Sequence, residues 1–290
     1  MSMLVGSNPS PDRALTQQAR SPYGPIVVHA AGRTPFAVCP LCRGAGVLVR
    51  EVPCDGHPSY VAGLPSIMRW NRCDDCGHVY TEGFFDAEAL SLLFSSAHDS
   101  QTPGDHAESQ RFVWAPTVEK VTSYVSYPLG VWLDVGMGNG SLLFTAAEWG
   151  YEPVGLDMRP QTVERMSAFG VESYCCDLLQ FEPIKRMHVI SLCDVLEHVP
   201  YPRRVLQKAK SLLVDDGVLL LSMPNIESPI WRMLDEAGAN PYWSEIEHYH
   251  NFSRSSLVAL LQSEGFEFVH YAVSRRWRVT MEVVARPACA

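Results

Sequence analysis

The spacing of apolar residues changes about a third of the way along the chain. From Val131 onward, short apolar runs alternate with segments whose apolar residues recur every three or four positions. Short runs bounded by glycine or polar clusters read as buried strands, and the three-to-four spacing reads as helices packed by one face. Val131–Val135, Pro153–Asp157, Glu172–Cys176, His188–Cys193 and Val218–Ser222 are therefore predicted strands. Ser141–Trp149, Pro160–Phe169, Arg203–Leu213 and Ser255–Ser263 are predicted helices, the first two and the last ended by Gly150, Gly170 and Gly265. Phe266–Ala272 and Arg278–Val284 read as a closing pair of strands. Strands alternating with helices of this length form a mostly parallel sheet with helices on both faces, an α/β fold of seven strands.

Upstream the pattern is weaker. Residues 1–34 are rich in Pro, Ser, Gly and Gln and read as a flexible arm, partly ordered around Ile26–His29. A compact cysteine-rich segment occupies 35–85. Asp86–Phe94 and Phe112–Tyr124 read as helices on either side of a polar stretch, Ser95–Gln110, so 86–126 is a helical linker. The main domain is expected over 127–290, and no internal repeat is visible.

The sharpest segment is Leu133-Asp134-Val135-Gly136-Met137-Gly138-Asn139-Gly140-Ser141. A strand ends, three glycines follow at alternate positions, and a helix begins. Glycine admits positive φ and lets a ligand approach without a Cβ in the way. A helix N-terminus favours negative charge, and the loop lies at the carboxyl edge of the sheet, where open α/β folds bind ligands. A dinucleotide fingerprint asks for Gly-x-Gly-x-x-Gly. Counted from Gly136 its last position is Ser141, and from Gly138 it is Leu143, so the fit is poor.

Asp134-x-Gly-x-Gly-x-Gly instead resembles the first motif of class I methyltransferases that use S-adenosylmethionine (SAM). Val154-Gly155-Leu156-Asp157 ends the second strand about 20 residues on, as that family's ribose-binding acid does, with Met158 after it. Cys176-Asp177-Leu178 ends the third strand, where the family places an Asp beside the adenine amino group. The fourth strand runs into Cys193-Asp194-Val195-Leu196-Glu197-His198, similar to the family's "VLEH" segment. The resemblance covers Val113 to the C-terminus and is most specific from Tyr127 to Asn225. It implies a Rossmann-like domain, SAM as cofactor, and Asp134, Gly136, Gly138, Gly140, Asp157, Met158, Asp177, Leu178 and Cys193 as its contacts.

Cys39-Pro40-Leu41-Cys42 and Cys73-Asp74-Asp75-Cys76-Gly77-His78 stand about 30 residues apart. Two Cys-x-x-Cys turns can bring four thiolates into a tetrahedron around zinc, which leaves no open position and so suits a structural metal. Arg43 stands where the first knuckle would ordinarily carry glycine. Cys54-x-x-His57 has ligand spacing too and ranks below the two pairs, since Pro53 and Pro58 suggest an ordinary loop. A zinc ribbon ahead of a SAM domain is similar to a subgroup of bacterial methyltransferases acting on small molecules, often sugars of natural-product or surface-glycan pathways.

Candidate chemistry lies after the fifth strand, in Trp243-Ser244-Glu245-Ile246-Glu247-His248-Tyr249-His250-Asn251-Phe252-Ser253. This stretch is longer than a minimal connection and overhangs the ligand crevice. It is similar to a Glu-His-x-x-x-Phe-Ser stretch of small-molecule methyltransferases whose His faces the substrate. That implies His248 as general base, Glu247 as its orienter, and Tyr249 and His250 as substrate contacts. His198 and Glu197 are rivals, and Ser253 also suits the cap of the next helix. Trp231, Met233 and Trp243 read by default as packing residues.

Composition narrows the partners. Of 290 residues 47% are hydrophobic and 19% charged, and the net charge is -9. A core is affordable, and a long nucleic-acid backbone is not expected as partner, because such binding leaves a basic footprint. Arg275, Arg276 and Arg278 form only a short basic patch. No run approaches the roughly 18 apolar residues that span a bilayer. With no export signal at the start, the Cys-x-x-Cys pattern favours metal over disulfides and a cytoplasmic location. The expected partner is a small-molecule methyl acceptor, with a homodimer compatible. Three other readings stay open. These are a nicotinamide oxidoreductase, an RNA- or protein-directed methyltransferase with the ribbon as reader, and a SAM-binding scaffold without turnover.

Overall fold

The computed structural model describes residues 20–21, 24–25, 32–94, 101–126, 130–276 and 279–288. Most of the arm expected over 1–34, Ile26–His29 included, and 95–100 of the linker lie outside them. Strands β1 (Arg20–Ser21) and β2 (Gly24–Pro25) form a small antiparallel pair. β3 (Arg33–Pro35) is followed by β4 (Gly46–Pro53), β5 (Ile67–Cys73), β6 (Val79–Thr81) and β7 (Gly83–Phe85). β4, β5 and β6 make an antiparallel meander, while β7 turns back to pair with β3. α1 (Ala87–Phe94) and α2 (Ala107–Thr122) lead to the main sheet. α2 begins ahead of the expected Phe112, because its first turn, Ala-Glu-Ser-Gln-Arg, has no apolar stripe to announce it. Arg111 instead ties that turn to Glu148 with bonds of 2.7 and 2.6 Å.

The main domain alternates as the apolar spacing predicts. β8 (Val131–Val135), α3 (Ser141–Glu148), β9 (Glu152–Leu156), α4 (Pro160–Ala168), β10 (Glu172–Tyr174), β11 (Met187–Cys193), α5 (Pro202–Leu212) and β12 (Leu213–Pro224) come in turn. Then follow α6 (Pro229–Glu236), β13 (His250–Asn251), α7 (Arg254–Ser263), β14 (Phe266–Val273) and β15 (Thr280–Pro287). The seven-stranded sheet has the order β10-β9-β8-β11-β12-β15-β14, with β15 antiparallel to both neighbours. The chain runs outward from β8 in one direction and from β11 in the other, so a topological switch point lies between them. Trp132 and Leu133 of β8 and Leu219–Leu221 of β12 are at most 1% exposed. Burying side chains of that size stabilises by about 1.5–3 kcal/mol each.

α6 was not expected from apolar spacing. Its signals are local: Ser228 Oγ accepts from Trp231 N at 3.1 Å, and Pro229 occupies the first turn. β13 leaves the main sheet altogether. It pairs antiparallel with β6, His250 opposite Tyr80, and so completes the small sheet as β13-β6-β5-β4. A shared core backs this join. Trp70, Trp231, Trp243 and Tyr249 are buried in one cluster, and Trp70 Nε1 donates to the carbonyl of Trp243 at 2.8 Å. The default reading of Trp231 and Trp243 as packing residues holds, while Met233 is exposed. Among the described residues no helix is long and apolar enough to cross a membrane.

Candidate functional site

The glycine loop leaves β8 at the switch point. Gly140 opens α3 at φ 76°, and a Cβ there would meet the Met166 side chain at 2.4 Å. Glycine takes that left-handed backbone without strain. Gly136 donates through its backbone to Leu156 O at 2.8 Å, which fastens the loop to the end of β9. Gly138, at φ 54°, turns its N–H onto Asp157 Oδ2 at 3.2 Å. The loop and the acid at the end of the second predicted strand are thus in direct contact.

Asp157 is buried, and each carboxylate oxygen accepts twice. Oδ1 takes the Arg159 backbone N–H and Nε, both at 2.9 Å. Oδ2 takes Arg159 Nη2 at 3.0 Å besides Gly138 N. A carboxylate has about four lone-pair sites, so Arg159 and the loop fill them all. Asp134 is also buried and accepts from Ser191 Oγ at 2.5 Å, while Trp132 Nε1 donates to that hydroxyl at 3.0 Å. Burial pushes the Asp134 carboxyl up to about 7, against the pull of the Ser191 bond and of Arg276. Asp177 caps a one-turn helix by accepting from Leu179 N at 2.6 Å, with Leu178 buried behind it. Met158, which follows Asp157, is 56% exposed. Cys193 ends β11, across the switch point from the glycine loop.

Beyond β11 the structure gathers side chains from distant segments. Asp194 takes φ 56°, a costly conformation for a residue with a Cβ. Its carboxylate receives Arg276 Nη1 at 2.7 Å and Nη2 at 3.3 Å, and Nη2 also donates to Ser222 Oγ at 2.6 Å. The guanidinium stacks 4.3 Å over Trp114. Sequence reasoning missed this group: Arg276 read only as part of a short basic patch, and no local spacing links it to Asp194.

His248 meets both its rivals. Ligand-capable atoms of Glu197, His198 and His248 lie within 4.8 Å of one another, and the two imidazoles pack edge-on at 4.7 Å. Glu197 is 1% exposed with no partner for either carboxyl oxygen among the described residues, and burial drives its pKa well above the usual carboxylate range. Burial likewise drives the His248 pKa well below the ordinary histidine value, and its Nδ1 has no partner among the described residues. Glu247 touches this group through its backbone, whose carbonyl accepts from His198 Nδ1 at 3.0 Å.

Tyr249 and His250 are placed elsewhere. Both are buried, 2% and 1% exposed. Tyr249 Oη accepts from Phe85 N at 3.3 Å. His250 Nε2 donates to Val199 O at 3.0 Å, so its Nδ1 accepts from His78 Nε2 at 3.1 Å. Their polar atoms thus tie the segment after β12 to the cysteine-bearing segment at His78 and Phe85 and to Val199, contacts that short-range spacing does not reveal.

The four cysteine thiols of the two knuckles converge, every Sγ within 4.8 Å of the others. Cys39 and Cys76 sulfurs are 3.7 Å apart, and Cys42 and Cys73 sulfurs 3.3 Å. A zinc tetrahedron with Zn–S near 2.3 Å has edges of about 3.8 Å, so the set fits. The knuckles repeat each other bond for bond. Cys39 N donates to Gly44 O and Arg43 N to Cys39 O, as Cys73 N does to His78 O and Gly77 N to Cys73 O. Arg43 and Gly77 take the same φ of 70°, so Arg43 adopts the glycine conformation despite its side chain. Gly44 N points at Cys42 Sγ from 3.4 Å. Cys54 and His57 are engaged otherwise: the thiol donates to Pro65 O at 3.2 Å, and His57 Nε2 pairs with Glu245 at 2.8 Å.

Residues 109–271 match the family described as Methyltransferase domain. The chain belongs to that family. This methyltransferase-domain chain is 30% identical over 152 residues to the Ubiquinone biosynthesis O-methyltransferase of Glaesserella parasuis serovar 5, covering 47% of this chain and 64% of that protein. The protein of the same description from Haemophilus ducreyi is 34% identical over 105 residues, 32% of this chain and 44% of its own length. The chain thus spans less than two thirds of either relative. Among solved structures, the 1,6-didemethyltoxoflavin-N1-methyltransferase of Burkholderia thailandensis, with bound 1,6-didemethyltoxoflavin and S-adenosylhomocysteine, superposes with a TM-score of 0.52 at 18% identity. The match covers 74% of this chain and 98% of that one. At that identity the likeness speaks for the fold, which is the Rossmann-like fold of class I SAM-dependent methyltransferases.

Proposed function

We propose that this methyltransferase transfers the methyl group of SAM to a hydroxyl of a small molecule, a sugar or natural-product intermediate. The observation that carries this reading is the juxtaposition at the switch point. A glycine loop bonded to Asp157 leaves β8, and a buried histidine held neutral sits beside the segment that follows the neighbouring β11. The relatives named for O-methylation support a hydroxyl acceptor.

SAM supplies a methyl group on a positively charged sulfur, open to in-line attack. The chain's residues would hold and align it. Gly136, Gly138 and Gly140 shape the cradle, and the N-terminus of α3 suits the amino-acid carboxylate. Asp157 would accept the ribose hydroxyl protons, with Met158 against the adenine and Asp177 and Leu178 at its edge. Cys193 would line the floor. His248, neutral at physiological pH, would take the acceptor's proton. Cys39, Cys42, Cys73 and Cys76 would hold a structural zinc whose closed coordination leaves the ribbon a supporting part. Methylation of phenols, catechols and sugar alcohols with methyl-labelled SAM tests the reading. Label appearing on amine acceptors alone would sink the hydroxyl assignment.

Two outcomes follow from the acids. Asp157→Ala removes two charge-assisted acceptors and should weaken SAM binding by about a hundredfold. Since Arg159 fills the sites the ribose would need, Arg159→Ala should bind SAM at least as tightly as the parent. Calorimetry on both variants checks this, and a weakened Arg159→Ala would mean that the arginine holds the ligand itself.

The Asp134 carboxyl titrates near 7. Below that pH it is neutral, and above it the ionised form attracts the ammonium group at the amino-acid end of SAM. Affinity should therefore rise between pH 6 and pH 8, by up to about tenfold. Asp134→Asn should flatten the rise. Titrations at both pH values decide it, and an unchanged slope in the variant would remove Asp134 from the cofactor site.

A further inference from the structure

Glu197 and His198 follow β11, and His248 lies between α6 and β13. Two hydrogen bonds knit these distant segments together. Tyr249 N donates to Glu197 O at 2.8 Å, and His198 Nδ1 donates to Glu247 O at 3.0 Å. The second bond also sets the His198 tautomer. With the proton on Nδ1, Nε2 of the neutral ring keeps the lone pair. A backbone carbonyl that holds one ring N–H in this way is the usual orienter of a metal-ligating histidine.

Glu197 and His248 bring the other donors. Neither carboxyl oxygen of Glu197 has a partner among the described residues, nor has Nδ1 of His248, and the two residues are 1% and 6% exposed. Unpaired polar atoms at that depth are costly unless something completes them. They converge: one ligand-capable atom of each of Glu197, His198 and His248 lies within 4.8 Å of the other two. Zinc bonds to nitrogen and oxygen of about 2.0–2.2 Å set ligand atoms about 3.4 Å apart in a tetrahedron. Side-chain shifts of about 0.7 Å or less close the set to that spacing. Two imidazoles and one carboxylate suit zinc or cobalt, whereas magnesium and calcium prefer oxygen alone.

We propose that Glu197, His198 and His248 form a second metal site, which binds one divalent ion such as zinc or cobalt. It differs in kind from the cysteine set. Three protein ligands leave one coordination position open, and the ion enters and leaves without unfolding a ribbon. A neutral imidazole has a single lone pair, so an ion on His248 takes the one that would receive the acceptor's proton. Methyl transfer should therefore slow as the site fills. That consequence rests on His248 acting as base, while the site itself does not.

Titration of the full, zinc-bearing chain with CoCl2, followed by calorimetry and visible absorption, tests the site, with MgCl2 as the comparison. About one cobalt per chain should bind without a sulfur-to-cobalt charge-transfer band, and magnesium should give no heat. Glu197→Gln keeps the size of the side chain and removes the anionic ligand. His198→Asn removes Nε2 and leaves an amide that can donate to Glu247 O. Each should weaken cobalt by about tenfold or more, and the second decides the matter if the first does not fold. Absence of saturable cobalt binding, a charge-transfer band that places the ion on thiolates, or unchanged affinity in the folded variants would overturn the site. Turnover measured in the same titration separates the two readings. Cobalt that binds, is lost in Glu197→Gln and leaves the parent's turnover undiminished upholds the site and dismisses His248 as base.

Discussion

Cys73→Ser is expected to yield a chain without bound zinc and with an unfolded ribbon. The parent should carry about one zinc per chain. In small zinc modules the binding free energy, about 10–16 kcal/mol, is largely folding free energy, so losing one of four thiolates removes what closes the knuckles. Damage should extend past the cysteines. β13 pairs with β6, and Trp70 packs on Trp243, so the segment carrying His248 loses its support when the ribbon opens. Turnover should fall together with metal content. Cys54→Ser is the control, because that thiol bonds Pro65 O and stands outside the tetrahedral set. Elemental analysis of the two variants gives the answer. Full metal content in Cys73→Ser would contradict the assignment.

His248→Ala is expected to lower kcat by about 10²–10⁴, the range supplied by a positioned proton acceptor, with SAM affinity unchanged. The two quantities separate the roles. Removing a base depresses turnover alone, whereas collapse of the Glu197–His198–His248 group would disturb the end of β11 and weaken SAM as well. Burial keeps His248 neutral, so the parent's rate should not fall through an ordinary histidine pKa near 6.5 as the pH drops. Single-turnover kinetics with a methylated product as readout measures the loss. Full activity would dismiss the residue as base.

These residues also mark where sequence reasoning runs out. The glycine loop, its acids and the alternation of strands and helices are local features written in consecutive residues, and the sheet follows them to within a few positions. Gly136, Gly138, Gly140 and Asp157 come together because a strand, a tight turn and a helix leave them no other arrangement. The Cys pairs were legible for the same reason, with the close repetition of hydrogen bonds around Cys39 and Cys73 adding what spacing could not. What escaped was long-range. Arg276 reaches Asp194 across 82 residues, and neither carries a local signature. His250 and Tyr249 read as substrate contacts because their segment overhangs a sheet edge. In the folded chain Tyr249 Oη takes Phe85 N, and His250 is held between His78 and Val199, partners that lie far off in sequence. The Arg159 clamp on Asp157 was hidden too, since an arginine two residues after an acid ordinarily points into solvent.

The most direct test of the account is calorimetric titration of the purified chain with SAM, with NADH as the comparison ligand. The account predicts saturable, micromolar SAM binding and no heat from NADH. Absence of SAM binding, or binding of NADH in its place, would contradict it.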